Sequence, residues 1–271
     1  LMHARLDAHL NISSILVLVI YDIFIESPRA RAIPNSSSAG PAVQAPAHGG
    51  GMVKMTGGAV LITGASGTLG TALTSFLSEH SDHQVVCLSR SPLTDPPPGC
   101  VEISGDFTSR ADLQKLSDQV GHISVCVHLG GVLSGANGQD LQLQVNVVGT
   151  HSLITHLRDC GTHKFVLASS IAAVGCLSSN FRPFQLPMPD DHTSLDELGY
   201  GGSKYIMEEM TRLVSRQNPS LDIINLRIAG IVKDDAPPRN DPQPDKPGSV
   251  VQFGIMCVLS ARCTPGSELS F

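Results

Sequence analysis

Ala59-Val60-Leu61-Ile62-Thr63-Gly64-Ala65-Ser66-Gly67-Thr68-Leu69-Gly70 is the stretch on which the reading turns. Its first four residues are a short apolar run leading into a glycine turn, which is how a parallel strand buried on both faces reads. From Thr68 onward the apolar residues Leu69, Leu73, Phe76 and Leu77 return at helical spacing, so the glycine loop stands between a strand and a helix. In that setting each glycine has a physical role. Gly64 allows the tight turn, Gly67 lets backbone N–H groups approach a pyrophosphate, and Gly70 lets the helix lie close on the strand, its N-terminus facing the anion. Ser66, Thr68 and Leu69 complete the loop. The spacing is Gly-x-x-Gly-x-x-Gly rather than the commoner Gly-x-Gly-x-x-Gly.

Outward from this loop the chain alternates. Apolar runs predict strands over 59–63, 84–89, 100–104, 123–129, 164–169 and 221–228, and helical periodicity predicts helices over 68–80, 110–119, 139–160 and 195–217. Such alternation implies a parallel sheet with helical crossovers on both faces, the doubly wound α/β arrangement of a Rossmann fold. In a chain of 271 residues one core of this kind fits and a second full domain does not.

The second strand ends at Ser89-Arg90, where a site for an unphosphorylated ribose places an acidic side chain. A guanidinium there suits a 2′-phosphate instead, so the cofactor reading is NADP in preference to NAD. A solvated arginine opening the loop from Ser91 to Gly99 is the plainer alternative.

Tyr200 and Lys204 stand four apart on a helix whose apolar stripe includes Met207 and Met210, which sets one side chain above the other. A free tyrosine titrates near pH ~10. The neighbouring cation is expected to favour the phenolate and lower that value, fitting the group for proton transfer. A hydroxyl partner is expected at the carboxyl end of the strand Lys164 to Ala168, in Ser169-Ser170, because open α/β sheets bind ligands at that edge.

With these residues in place, the chain resembles the extended-type short-chain dehydrogenase/reductases of the NAD(P)-dependent epimerase/dehydratase group, over about residues 57 to 235. The family's Ser-Ser-x-x-x-x-Gly segment sets its substrate-orienting hydroxyl on Ser170, with Ser169 as the alternative. The resemblance makes Tyr200 the acid/base and Lys204 the lysine that also holds the nicotinamide ribose. Asn146 matches an Asn that recurs on the helix after the fourth strand and is placed with the catalytic residues, and Asp106 with Phe107 matches the segment near the adenine. His128-Leu129-Gly130-Gly131 matches the strand end beside the cofactor, which brings Leu129 and Gly130 into the cofactor set. Asn146 tying strand to helix and Asp106 as an ordinary turn or cap residue are the structural alternatives.

The resemblance implies a Rossmann domain over 57–235 that carries the catalytic residues, and a substrate lobe after it. Residues 236–271 read as the remnant of a truncated lobe, and the family's Arg-Pro-x-x-Val-Tyr-Gly-Pro signature is replaced here by Arg227-Ile228-Ala229-Gly230-Ile231-Val232. Residues 1–56 open with Leu, hold an apolar run from Ile15 to Tyr21 that is short of the ~20 residues a bilayer requires, and continue into a Pro/Ser/Ala/Gly-rich stretch. They read as a disordered or misassigned leader, with Met52 or Met55 as alternative starts.

Composition narrows the partners. With 15% charged residues and a net charge of −6, no basic stripe points to nucleic acid, and no segment reads as a membrane span. Seven cysteines without a Cys-x-x-Cys pair read as reduced thiols of a cytoplasmic protein, and the histidines lack metal-ligand spacing. The partner expected is a small-molecule substrate; a homodimer stays open. The resulting expectation is hydride transfer between NADP or NAD and a carbonyl or secondary alcohol through Ser170, Tyr200 and Lys204. The alternatives are an epimerase or dehydratase using the same residues, and a nucleotide-binding module without catalysis.

Overall fold

A computed structural model describes residues 58–133, 138–176, 178, 181–185, 188–189, 191–195, 199–228 and 258–260. The leader over 1–56 lies outside these residues, as does the stretch 236–271 apart from 258–260.

Seven strands form one sheet: β1 (Ala59–Thr63), β2 (Val85–Ser89), β3 (Val101–Ser104), β4 (Ile123–His128), β5 (Lys164–Ser170), β6 (Asp222–Ile228) and β7 (Val258–Ser260). Their order is β3-β2-β1-β4-β5-β6-β7. The first six run parallel, as the alternation with helices requires. β7, which the sequence reading did not foresee, pairs antiparallel with β6.

The central strands are apolar on both faces because both faces are covered. Val60 and Ile62 of β1 join Val85, Cys87 and Val127 in a core completed by Leu69, Leu73 and Leu77 of α1 (Thr68–His80). Ala59, Leu61, Val86 and Leu88 face the other way. They meet Leu113 and Leu116 of α2 (Arg110–Val120), Leu153, Ile154 and Leu157 of the helix Thr150–Asp159, and Met207 and Val214 of the helix Tyr200–Gln217. Each such fully buried aliphatic side chain contributes about 1.5–3 kcal/mol relative to exposure.

Two predicted helices differ from the expectation. The single helix over 139–160 is instead α3 (Gly138–Leu143), a π-helical segment Gln144–Gly149, and α4 (Thr150–Asp159). Such wider turns are rare and recur at functional sites; within this one the Asn146 side chain bonds Val132 and Ser203. The last helix, α5 (Tyr200–Gln217), starts later than the expected 195. The Leu195 amide is committed to the Val174 carbonyl at 3.2 Å, so the chain there is tied to the turn after β5.

Candidate active site

The strand order reverses at β1, between β2 and β4, and ligand crevices of open α/β sheets lie beyond the strand ends at such a point. A cleft of about 560 Å³ opens there. Gly64, the run Ser66 to Gly70, Arg90, Asp106, Phe107, Leu129, Gly130, Ser170, Tyr200 and Lys204 all line it, so the residues expected at a cofactor share one wall system. Asn146 is the exception: it lies wholly buried beneath that wall.

The glycine loop is shaped by contact. Gly64 has φ +68° and lies so close to the strand end after β4 that a Cβ would come within 2.7 Å of the Gly130 nitrogen. A Cβ on Gly70 would fall 2.3 Å from the Gly64 carbonyl oxygen, which is the close helix–strand approach expected of that position. Gly67 caps α1 without a side-chain hydrogen bond, leaving the first-turn N–H groups to the cleft. A backbone cradle that tolerates no Cβ at Gly64 or Gly70, with an uncapped helix start behind it, fits the pyrophosphate of a dinucleotide.

At one end of the cleft, Arg90 is exposed at the close of β2. Asp106 is partly engaged: one carboxylate oxygen accepts from the Thr108 amide at 2.9 Å and from the Thr108 hydroxyl at 2.8 Å, while its own amide donates to Asp112. Its side chain therefore closes a turn on Thr108, while the cap of α2 is Ser109, whose hydroxyl accepts the Asp112 N–H at 3.3 Å.

At the other end, Ser170 accepts the Ala172 N–H at 3.1 Å and thereby caps the 3-10 turn Ile171–Val174. Its own proton remains available, and the hydroxyl hydrogen-bonds the Tyr200 phenol. Ser169, the alternative occupant, donates to Glu208 on the α5 side of the sheet. Tyr200 departs from the expected electrostatics. Burial pushes its phenol above the ordinary tyrosine value, and the Ser170 hydrogen bond opposes that rise, so the expected lowering does not appear. The Lys204 ammonium, buried, donates to the Ala168 carbonyl at 2.7 Å. Burial brings its pKa down to about 8, with the Glu208 carboxylate opposing the drop.

Asn146 is spent on architecture. Its carbonyl oxygen accepts the Val132 N–H at 2.8 Å, and its amide donates to the Val132 carbonyl and to the Ser203 hydroxyl, each at 3.0 Å. The side chain thus imitates a strand partner for Val132 and ties the segment after β4 to α5, one residue from Lys204.

The sequence reading missed two partners. Glu208 and Arg227 form a fully buried ion pair at 2.7 Å, with the guanidinium also donating through Nε to both carboxylate oxygens. The signal was present: Lys204, Glu208, Thr211 and Ser215 make a polar stripe on the buried face of α5. His128 is also more than a strand end. Its ring joins the Thr63 and Thr150 hydroxyls at 2.6 and 3.0 Å, and burial, reinforced by Lys204, lowers its pKa to about 3, so it is neutral. His192 is buried between Phe181 and Phe184; its Nε2 accepts the Phe184 N–H at 3.3 Å.

A nucleotide cradle at one end of a cleft and a hydroxyl pair beside a buried lysine at the other define an α/β protein of the short-chain dehydrogenase/reductase kind. The chain belongs to the NAD dependent epimerase/dehydratase family, whose model matches residues 60–243. It is 31% identical over 185 residues to the mitochondrial L-threonine 3-dehydrogenase of Bos taurus, a match covering 66% of this chain and 47% of that protein. It is 26% identical to a UDP-glucose 4-epimerase of Erwinia amylovora, across 62% of this chain and 52% of that one. A short-chain dehydrogenase/reductase superfamily protein of Agrobacterium tumefaciens, solved with bound NAD, is 29% identical with a TM-score of 0.53, covering 62% of this chain and 48% of that chain. The chain spans about half the length of the curated relatives it matches. Among the described residues, no helix is long and apolar enough to cross a membrane.

Proposed function

We propose that the protein is an NAD(P)-dependent oxidoreductase acting on a carbonyl or secondary-alcohol substrate. The observation that carries this reading is the Ser170–Tyr200 hydroxyl pair on the wall of the cleft that also holds the glycine cradle and Lys204. The backbone N–H groups of Ser66 to Gly70 would bind the pyrophosphate, and Lys204 would hold the nicotinamide ribose. When bound, the cofactor supplies or accepts the hydride. In reduction, Ser170 donates a hydrogen bond to the substrate oxygen and Tyr200 delivers the proton to it. A phenol kept protonated by burial suits the donor role. In oxidation the roles reverse, and the Ser170 hydrogen bond is the contact that favours loss of the tyrosine proton. Asn146 positions rather than reacts, holding α5 against the segment after β4.

The described residues fit a nicotinamide adenine dinucleotide. Preference for NADP over NAD rests on Arg90, exposed on the cleft wall at the end of β2. Replacing Arg90 by Asp should then shift preference toward NAD, and equal affinities of the parent for both cofactors would remove that part of the reading. A small-molecule substrate is the partner this cleft suits.

A second reading is favoured by one finding, the similarity to a UDP-glucose 4-epimerase alongside a dehydrogenase. There the same residues would oxidise the substrate transiently and return the hydride. Net cofactor turnover separates the two. Incubation with NADPH or NADH and a panel of ketones and aldehydes should consume the reduced cofactor in stoichiometry with alcohol product. Isomerised substrate with no net change in cofactor absorbance would favour the epimerase or dehydratase instead.

A further inference from the structure

Two thiols lie against each other at the two ends of a segment that borders the cleft. Cys87, in β2, and Cys100, one residue before β3, have their sulfurs 3.2 Å apart. Cys87 is buried and also contacts the Thr74 hydroxyl of α1 at 3.4 Å, whereas Cys100 is partly exposed. The segment between them runs through Ser89, Arg90 and Ser91, all of which line the cleft.

We propose that Cys87 and Cys100 are a reversible dithiol/disulfide site, oxidised by small disulfides of the glutathione class, that staples the two ends of the loop carrying Arg90.

The division of labour follows from position. Cys100 is the thiol that solvent reaches, and the hydrogen bond from Cys87 favours its thiolate, while Cys87 is held protonated by that bond and by burial. The Cys100 thiolate attacks one sulfur of the reagent, forming a mixed disulfide and releasing one reagent thiolate. Cys87 then gives up its proton and attacks the Cys100 sulfur, releasing the second reagent thiolate. The two cysteines lose two electrons and two protons together, and one reagent disulfide becomes two thiols. Closing the bond asks the sulfurs to approach to about 2.05 Å. Cys100 can follow because it stands outside the strand ladder, in a turn whose amide bonds the Pro97 carbonyl at 3.2 Å. The oxidised protein then presents Arg90 from a covalently closed loop and the reduced protein from an open one.

Treating the native full-length protein with oxidised glutathione, alkylating the remaining thiols and mapping the digest by mass spectrometry tests this. The parent should yield a Cys87–Cys100 linked peptide, lose alkylation at those two positions, and recover it with dithiothreitol. Cys87→Ser should instead retain a stable glutathione adduct on Cys100, and Cys100→Ser should leave Cys87 unmodified while the protein stays folded by circular dichroism. If the parent accumulates the Cys100 adduct without the link, keeps both thiols reduced, or links another pair in preference, the proposal is overturned. The parent measurement stands even where a variant fails to fold.

Discussion

Ser169 and Ser170, adjacent at the end of β5, send their hydroxyls to different partners: Ser170 to Tyr200 in the cleft, Ser169 to Glu208 beneath α5. Strand alternation enforces the split, since successive side chains leave opposite faces of the sheet. Both serines border the cleft, but Ser170 is the one that meets Tyr200 there, which is why the proposed reading gives it the substrate oxygen.

From this follows the clearest functional contrast. Tyr200→Phe keeps the ring and removes the proton, so turnover should fall by about 10²-fold or more, the usual scale for a general acid. Dinucleotide affinity should change little. Ser170→Ala should also depress turnover, whereas Ser169→Ala should act through stability. Steady-state kinetics and chemical denaturation, run on all three, separate these effects.

The Glu208–Arg227 pair should matter far more when broken than when replaced. Both groups are buried, at 0% and 3% side-chain exposure, so Glu208→Gln leaves a guanidinium uncompensated and should cost about 3–5 kcal/mol. Replacing both residues, Glu208→Leu with Arg227→Met, should cost less than the single change. Urea unfolding curves measure it; a single-variant loss under ~1 kcal/mol would show that water reaches the pair.

Lys204 ties stability to alkaline pH. Its folded pKa, near 8, lies below that of a free lysine near ~10.4, so between these values the unfolded chain binds more protons than the native one. Stability from this group therefore rises as pH climbs through that window, by at most about 1.4 kcal/mol per pH unit. Lys204→Met should flatten the slope between pH 8 and 10, read from unfolding midpoints across buffers.

The glycine loop gives a graded test. A methyl group on Gly70 would overlap backbone at 2.3 Å, while one on Gly67 would meet only the Gly64 carbonyl, at 3.3 Å. Gly70→Ala should disturb both fold and nucleotide affinity. Gly67→Ala should fold normally, and Gly67→Val should lose affinity because the larger side chain enters the pyrophosphate space. Thermal melts and calorimetry on the three variants would show the order.

Much of this was legible in the sequence, for physical reasons. Strands apolar on both faces, such as Ala59–Thr63, carry an unbroken signal, and all six parallel strands were placed to within a residue at each end. The cleft residues were legible because each sits where a strand ends and a helix begins. What escaped was side-chain pairing across distant segments. Glu208 and Arg227 are 19 residues apart, and neither pattern nor spacing says that they meet. The contacts of Asn146 within the π-helical segment escaped because their partner, Val132, is 14 residues away. The later start of α5 was hidden likewise, since the Leu195 amide bonds a carbonyl in the turn after β5.

The central claim is that the cleft beside β1 takes a nicotinamide dinucleotide with its reactive end at Tyr200. Calorimetric titration of NADP and NAD into the protein, paired with Gly67→Val, tests it most directly. The account predicts saturable binding of one dinucleotide per chain that is weakened severely in the Gly67 variant. A folded parent protein that binds neither cofactor, or one whose affinity is indifferent to Gly67→Val, would contradict it.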